Sequence, residues 1–325
     1  MEDLGKCIRD CYNVHEITSS NDQDWNYLCA NSKQYTPYVR DDYLAAVDFI
    51  GKKYIVYRKE TPFMGICIPL KKDCFSTSYS VPFSPHHGLL YSTGNSELEY
   101  QKKQEATAVL LGYLENIYSK ISFSNHYTVQ DMRPMLWHNY HDRTASHYKI
   151  DIAYTSVKYI KDDVFINMRS TRKYEYKYAK NKYGLKCVDG SCDIYSFMNL
   201  YQKTFLRQEI NLDKSTLCMV ENIVRTALNN RYGFMRYAID INGDVISAVF
   251  ILYHDDTAYY IFGANDPAQR KKGGGTFLLV NAMEEAKKMG LTYFDFVGVN
   301  SPMRGSYKLS FGGELKPYYI CSLPG

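Results

Sequence analysis

The chain has 325 residues, 45% of them hydrophobic, which is enough for two ordinary domains and too apolar for a disordered protein. A net charge of +4 suits an anionic small-molecule ligand but lacks the basic balance of a dedicated nucleic-acid binder, so DNA is not an expected partner. No stretch approaches the ~18 consecutive apolar residues that span a bilayer, and no membrane insertion is expected.

Nine cysteines are scattered without C-x-x-C pairs, and Met1 to Gly5 shows neither a basic nor an apolar leader. Both point to reduced thiols and a cytoplasmic setting. Cys7, Cys11 and His15 recur at four-residue steps and would share one helix face, but a fourth ligand is missing, so no metal is expected. The 32 tyrosines suit half-buried strands and clefts.

In chain order, residues 53–59 read as a strand, 63–70 as its hairpin partner and 81–91 as a broken strand carrying His86-His87-Gly88 after Pro82 and Pro85. Residues 96–120 read as a helix capped by Ser96, with Leu110, Leu114, Ile117 and Ile121 as its apolar stripe, and 123–128 as the next strand. A basic, Tyr-interleaved segment follows, with Arg169, Arg172, Lys173 and Lys177 on one helical face and Gly184 as a stop. Helices are expected over 193–208 and 213–231.

Beyond them the same plan recurs. Residues 233–240 and 244–254 alternate as strands around Asn242-Gly243, read as a primed hairpin turn, and 257–263 is a third strand. Then come Arg270-Lys271-Lys272-Gly273-Gly274-Gly275, a helix from Thr276 to Met289 and a strand over 292–297. From first strand to helix is roughly 44 residues in one copy and roughly 40 in the other, which points to duplication. The copies differ in charge. The loop before the first helix, Ser92 to Glu99, holds carboxylates and no base, whereas the second offers glycines, cations and a helix N-terminus, where an anion binds. Only the second copy is expected to hold a phosphorylated ligand.

The R-x-x-G-x-G spacing resembles the coenzyme-A signature of the GNAT acyltransferases. With Phe294 to Gly298 and the run Tyr307-Lys308-Leu309-Ser310-Phe311-Gly312-Gly313, the chain resembles the FemAB-like branch of that superfamily, which includes CelD-like acetyltransferases. The resemblance implies an α+β tandem GNAT fold of two mixed sheets flanked by helices, with a cleft between the copies. Residues 1–155 would be a degenerate, acceptor-side copy and 156–325 the acyl-CoA-binding one. Acetyl-CoA is the foremost donor, with an acyl carrier protein as substitute, and the acceptor is an amine, an amino sugar or nucleotide-sugar in surface-polysaccharide or cell-wall synthesis. The enzyme would transfer groups other than aminoacyl groups. An aminoacyl-tRNA-dependent peptidoglycan-bridge transferase and a non-catalytic acyl-CoA-binding protein remain alternatives.

On this reading Ile261, Phe262, Gly263, Arg270, Lys271, Lys272, Gly273, Gly274, Gly275 and Thr276 bind the donor. Asp295 is either a general base or a holder of the turn at Gly298. Tyr307, placed after a loop over 300–305, would protonate the departing thiolate, and Lys308 would steady a phosphate or developing charge, against a packed aromatic and a solvated lysine. His86, His87, Arg169, Arg172, Arg207 and Tyr260 are acceptor-side candidates, with His254, at a strand end, weighed beside them.

Overall fold

The computed structural model describes residues 11–17, 23–71, 74–78, 80–92 and 97–324. The chain divides into two compact units, one running to Ala153 and resuming at Pro317, the other Tyr154–Lys316. The C-terminal segment thus groups with the first unit, whereas the sequence reading keeps it in the second.

The first unit opens with β1 (Tyr12–Ile17), α1 (Gln23–Asn31) and α2 (Asp41–Ala46). Next come β2 (Phe49–Arg58), β3 (Thr61–Lys71), β4 (Cys74–Ser78), β5 (Leu89–Tyr91), α3 (Glu97–Glu115), β6 (Ile121–Ser124) and α4 (Arg133–Leu136). Strands β1-β2-β3-β4 form an antiparallel sheet, with β5 on β3. Helix α3 sinks Ala106, Leu110, Leu111 and Leu114 against Tyr54, Val56, Met64 and Ile66 of β2 and β3. Each of these leucines contributes roughly 1.5–3 kcal/mol by leaving water. The expected stripe is half right: Leu110 and Leu114 are buried, but Ile117 lies past the helix end, 42% exposed, and Ile121 opens β6. Only three residues of the expected 81–91 strand pair. The capping residue Ser96 and Cys7 lie outside the described residues. His15 sits in β1, a strand, so the shared helix face proposed for it is not formed.

The second unit begins within β7 (Lys149–Tyr159), which crosses the division. It continues with α5 (Ser170–Asn181), β8 (Lys186–Asp189), α6 (Ile194–Leu206), α7 (Lys214–Asn229), β9 (Gly233–Ile239), β10 (Val245–His254) and β11 (Thr257–Asn265). Then follow a 3-10 turn (Pro267–Lys272), α8 (Gly274–Lys288), β12 (Tyr293–Asp295), α9 (Pro302–Leu309) and β13 (Glu314–Leu323), whose last residues return to the first unit. Asp193 and Asp213 cap α6 and α7 by accepting from Ser196 N and Thr216 N. Both faces of the sheet are covered. Val249 and Ile251 of β10 meet Leu278, Val280 and Met283 of α8, while Phe250 stacks on Phe262, which meets Phe197 and Tyr201 of α6.

The hairpin at Asn242-Gly243 is not of the primed type. Gly243 has φ 86° and Asn242 does not share its left-handed backbone, because Asp240 Oδ1 accepts from the N–H groups of Asn242 and Asp244 and holds a wider loop.

Candidate functional site

Two neighbouring strands of the second unit differ in length. Strand β11 pairs in parallel with β12 over only three positions, Thr257↔Tyr293 to Tyr259↔Asp295, and then continues to Asn265. Along that stretch its pairing with β10 skips Ile261, since Phe250 faces Phe262 and Ile251 faces Tyr260. A one-residue bulge flips the side-chain alternation. Tyr260 and Gly263, three apart, therefore share a face, and a Cβ on Gly263 would collide with the Tyr260 hydroxyl.

β11 leads into the cationic turn and α8. The helix starts at Gly274, two residues earlier than the sequence suggested, because Gly273 adopts φ 74° as its N-cap. No side chain caps that turn, so the first amides, beyond reach of any helical carbonyl, are left for an outside acceptor. Gly274 is buried against Ser247 of β10, so its missing Cβ serves helix–strand packing. The three cations do not act alike. Lys272 is drawn off to the buried Asp240 at 2.9 Å, which corrects its expected role as counter-charge, and that contact holds the Asp240 carboxyl below the usual range.

A polar cluster closes around Thr276. Its Oγ1 donates to Glu175 Oε2 at 2.7 Å, lies 3.2 Å from the Tyr307 hydroxyl and accepts from Arg172 Nη1 at 3.3 Å. Arg172 pairs with Glu175, stacks 5.1 Å from the Tyr307 ring centroid, and leaves its buried Nε without a hydrogen bond. Tyr307 rises from α9 and not from beyond a loop; burial pushes its phenol up to about 12, so it stays protonated.

Lys308, the next residue of α9, is neither solvated nor idle. Its Nζ donates to the carbonyls of Val297 and Gly298 and lies 5.3 Å over the Tyr260 ring. Burial draws its pKa down to about 8, with Asp295 opposing and Arg304 reinforcing the shift. Val297, a β-branched residue at φ 51°, and Gly298 at φ 56° form a left-handed corner where β12 ends. Asp295, fully buried, clamps that corner from the other side, its Oδ1 accepting from Val297 N at 2.8 Å and from the Thr155 hydroxyl.

A model of the acetyltransferase (GNAT) domain matches residues 167–309. That stretch carries a GNAT domain. Among solved structures the chain is similar to FemX (TM-score 0.67, 11% identity, 94% of this chain and 96% of that one). It is also similar to a tandem GNAT protein from the clavulanic acid biosynthesis pathway (0.56, 10%, 96% and 98%). The C-terminal domain of a putative lysylphosphatidylglycerol synthetase from Agrobacterium fabrum matches as well (0.51, 10%, 93% and 93%). At these identities the likeness shows the fold, a tandem GNAT fold. No curated protein sequence matches.

Within the GNAT domain the fit to an acyl-CoA donor is partial. The run of β11 beyond β12, its bulge and the uncapped α8 would suit a thioester and its diphosphate, with Arg270 and Lys271 as counter-charge. Against them, Glu175 already places a carboxylate at Thr276 and must give way to a phosphate. The remaining candidates scatter. Arg169 is the exposed N-cap of α5 and Arg207 the exposed C-cap of α6, so the face drawn through Arg169 and Arg172 is broken. His86 and His87 are buried in the first unit at 1% and 3%, not in a polar surface loop. His86 Nδ1 lies 3.3 Å from Asn125 O with its ring edge-on to Tyr318, and His87 Nδ1 lies 3.1 Å from Ser84 O. His254 ends β10, as expected. Sequence reasoning missed Glu175, Thr155 and the Ile261 bulge. The first two act through partners far along the chain, and the bulge leaves no composition signal.

Proposed function

We propose that this protein moves an acyl group, acetyl foremost, from acyl-CoA to an amino group, with an amino sugar of a surface-polysaccharide or cell-wall precursor as acceptor. The observation that carries the reading is the run of β11 beyond Tyr259, free of β12, bulged at Ile261 and ending in an uncapped glycine-led helix. In the reaction a neutral amine attacks the thioester carbonyl and the thiolate leaves. Past Tyr259 β11 has no β12 partner, and a backbone N–H there can polarise that carbonyl. Tyr307, protonated at neutral pH and beside the first turn of α8, is the proton donor to the thiolate. Asp295 and Lys308 fix the left-handed corner where β12 ends, which leaves the general base to another group or to water. Arg270 and Lys271 offset the phosphates, and Arg172 joins them once released from Glu175.

Calorimetry with acetyl-CoA and CoA tests the donor, with a Kd between about 1 μM and 1 mM expected. With thiol release followed over a panel of amino sugars, Tyr307→Phe should lower kcat by about 100-fold with little change in KM. No heat at about 1 mM CoA would overturn the reading. The Glu175 carboxylate at Thr276 favours a second reading, a donor without a diphosphate at this helix, such as aminoacyl-tRNA; ribonuclease-sensitive activity indifferent to acyl-CoA would select it.

A further inference from the structure

The first unit presents a second constructed surface, at the turn after α4. Trp137 N donates to Arg133 O at 2.8 Å, Tyr140 N to Trp137 O at 3.1 Å and Asp142 N to Asn139 O at 2.9 Å, winding residues 137–142 tightly. Asn139 sits at φ 56°, left-handed, and its side-chain amide is pinned by Glu115 Oε1 at 3.0 Å and Ser146 O at 3.1 Å. The other Glu115 oxygen takes His138 Nε2 at 2.9 Å, with the His138 side chain only 8% exposed. The turn is therefore anchored from behind by the end of α3. In front it holds Trp137 at 49% and Tyr140 at 66% exposure, far more apolar ring surface than folding requires.

Trp137, Asn139, Tyr140, His141 and Asp142 line a cavity of about 520 Å³, within the range of small-molecule sites. Asp142 Oδ1 is occupied by Thr144 N at 2.9 Å and Thr144 Oγ1 at 2.7 Å, and these bonds hold its carboxyl below the usual range. The Ala145 backbone N–H adds a further bond, and the carboxylate, with two oxygens and about four lone pairs, keeps capacity to accept from hydroxyl groups. None of the lining residues is Lys or Arg, and the nearby Arg133, 5.6 Å from the Trp137 ring, is paired with Asp131 at 2.7 Å. A phosphate would find the Asp142 carboxylate on the lining, with the exposed Arg143, next in the chain, outside it.

We propose that this turn binds a pyranose ring of a glycan, its C–H face laid on Trp137 and Tyr140 and a hydroxyl donating to Asp142. Flat rings that are apolar on the face and polar at the edge complement an aromatic platform rimmed by a carboxylate. The proposal stands apart from the acyl-transfer reading, since sugar binding is measured without donor or turnover.

Fluorescence provides the test. The chain has two tryptophans, Trp25 at 3% exposure and Trp137 at 49%, so acrylamide quenching reports chiefly on Trp137. The probes are chitotetraose, maltotetraose and uridine diphosphate. A saturable loss of quenching with either oligosaccharide is expected, weakened about tenfold by Asp142→Asn, which retains an oxygen for Thr144. Circular dichroism should show that variant folded, and saturation-transfer NMR on Trp137→Leu should show the sugar signal lost. No response to either glycan at about 10 mM would overturn the proposal. So would a response to uridine diphosphate alone, or glycan binding unchanged in both variants.

Discussion

A buried imidazole that stays neutral ties stability to pH. His87, at 3% exposure, has its pKa lowered to about 4 by burial, with the Ser84 carbonyl opposing, and burial also drives His126 well below its ordinary value. The sign follows from linkage. Above the unfolded pKa of ~6.5 both states are neutral; as pH falls toward about 4 the unfolded chain takes protons that the folded one refuses, and stability is lost. Each such ring contributes up to roughly 1.4 kcal/mol per pH unit in that window. Urea titrations at pH 7 and pH 5 should show the loss, and His87→Gln should flatten the slope. A midpoint independent of pH would contradict it. His87 was legible in the sequence as half of the His86-His87 pair, but not as a buried ring; its neighbour His86 packs on Asn125, His126 and Tyr318, all distant in the chain. Lys308 teaches the same lesson: its carbonyl partners come from a corner ten and eleven residues earlier.

Among the elements, α8 shows how one glycine run serves separate ends. Gly273 supplies a left-handed cap, and Gly274 lets the helix approach β10. Gly274→Ala would drive a methyl into Ser247 Oγ, itself held by Asn265 Oδ1 at 2.7 Å, so strain of about 1–3 kcal/mol is expected. A fall of several degrees in Tm, by differential scanning fluorimetry, checks this; an unchanged Tm would show that Ser247 yields. The strand–glycine–helix junction was readable because periodicity switches from 2 to 3.6 across it. The bulge at Ile261 was not, since a bulge is an extra residue relative to a partner strand, and register belongs to the pair. Strand β8 and helix α9 were missed for a related reason: both are short, and packing against the rest of the unit sustains them.

At the scale of the whole molecule, the chain's end matters to its beginning. Ile320, Cys321, Ser322 and Leu323 of β13 pair with Ser124 to Ile121 of β6, and Cys321 and Leu323 join the core of the first unit. Deleting the residues from Pro317 onward should therefore destabilise that unit, with hydrogen exchange at Phe123 and Ile121 rising at least tenfold. Unchanged protection in β6 would mean that it holds without its partner.

The sequence by itself determined the β-β-β-α-β order from β9 to β12 and the cation-glycine junction before α8, because periodicity, caps and turn residues act over a few positions. Only the tertiary structure decided that Lys272 belongs to Asp240, that Glu175 reaches Thr276, and that β11 runs on without β12. Those outcomes depend on which distant segments meet, and an ion pair or a strand register has no local trace in the chain.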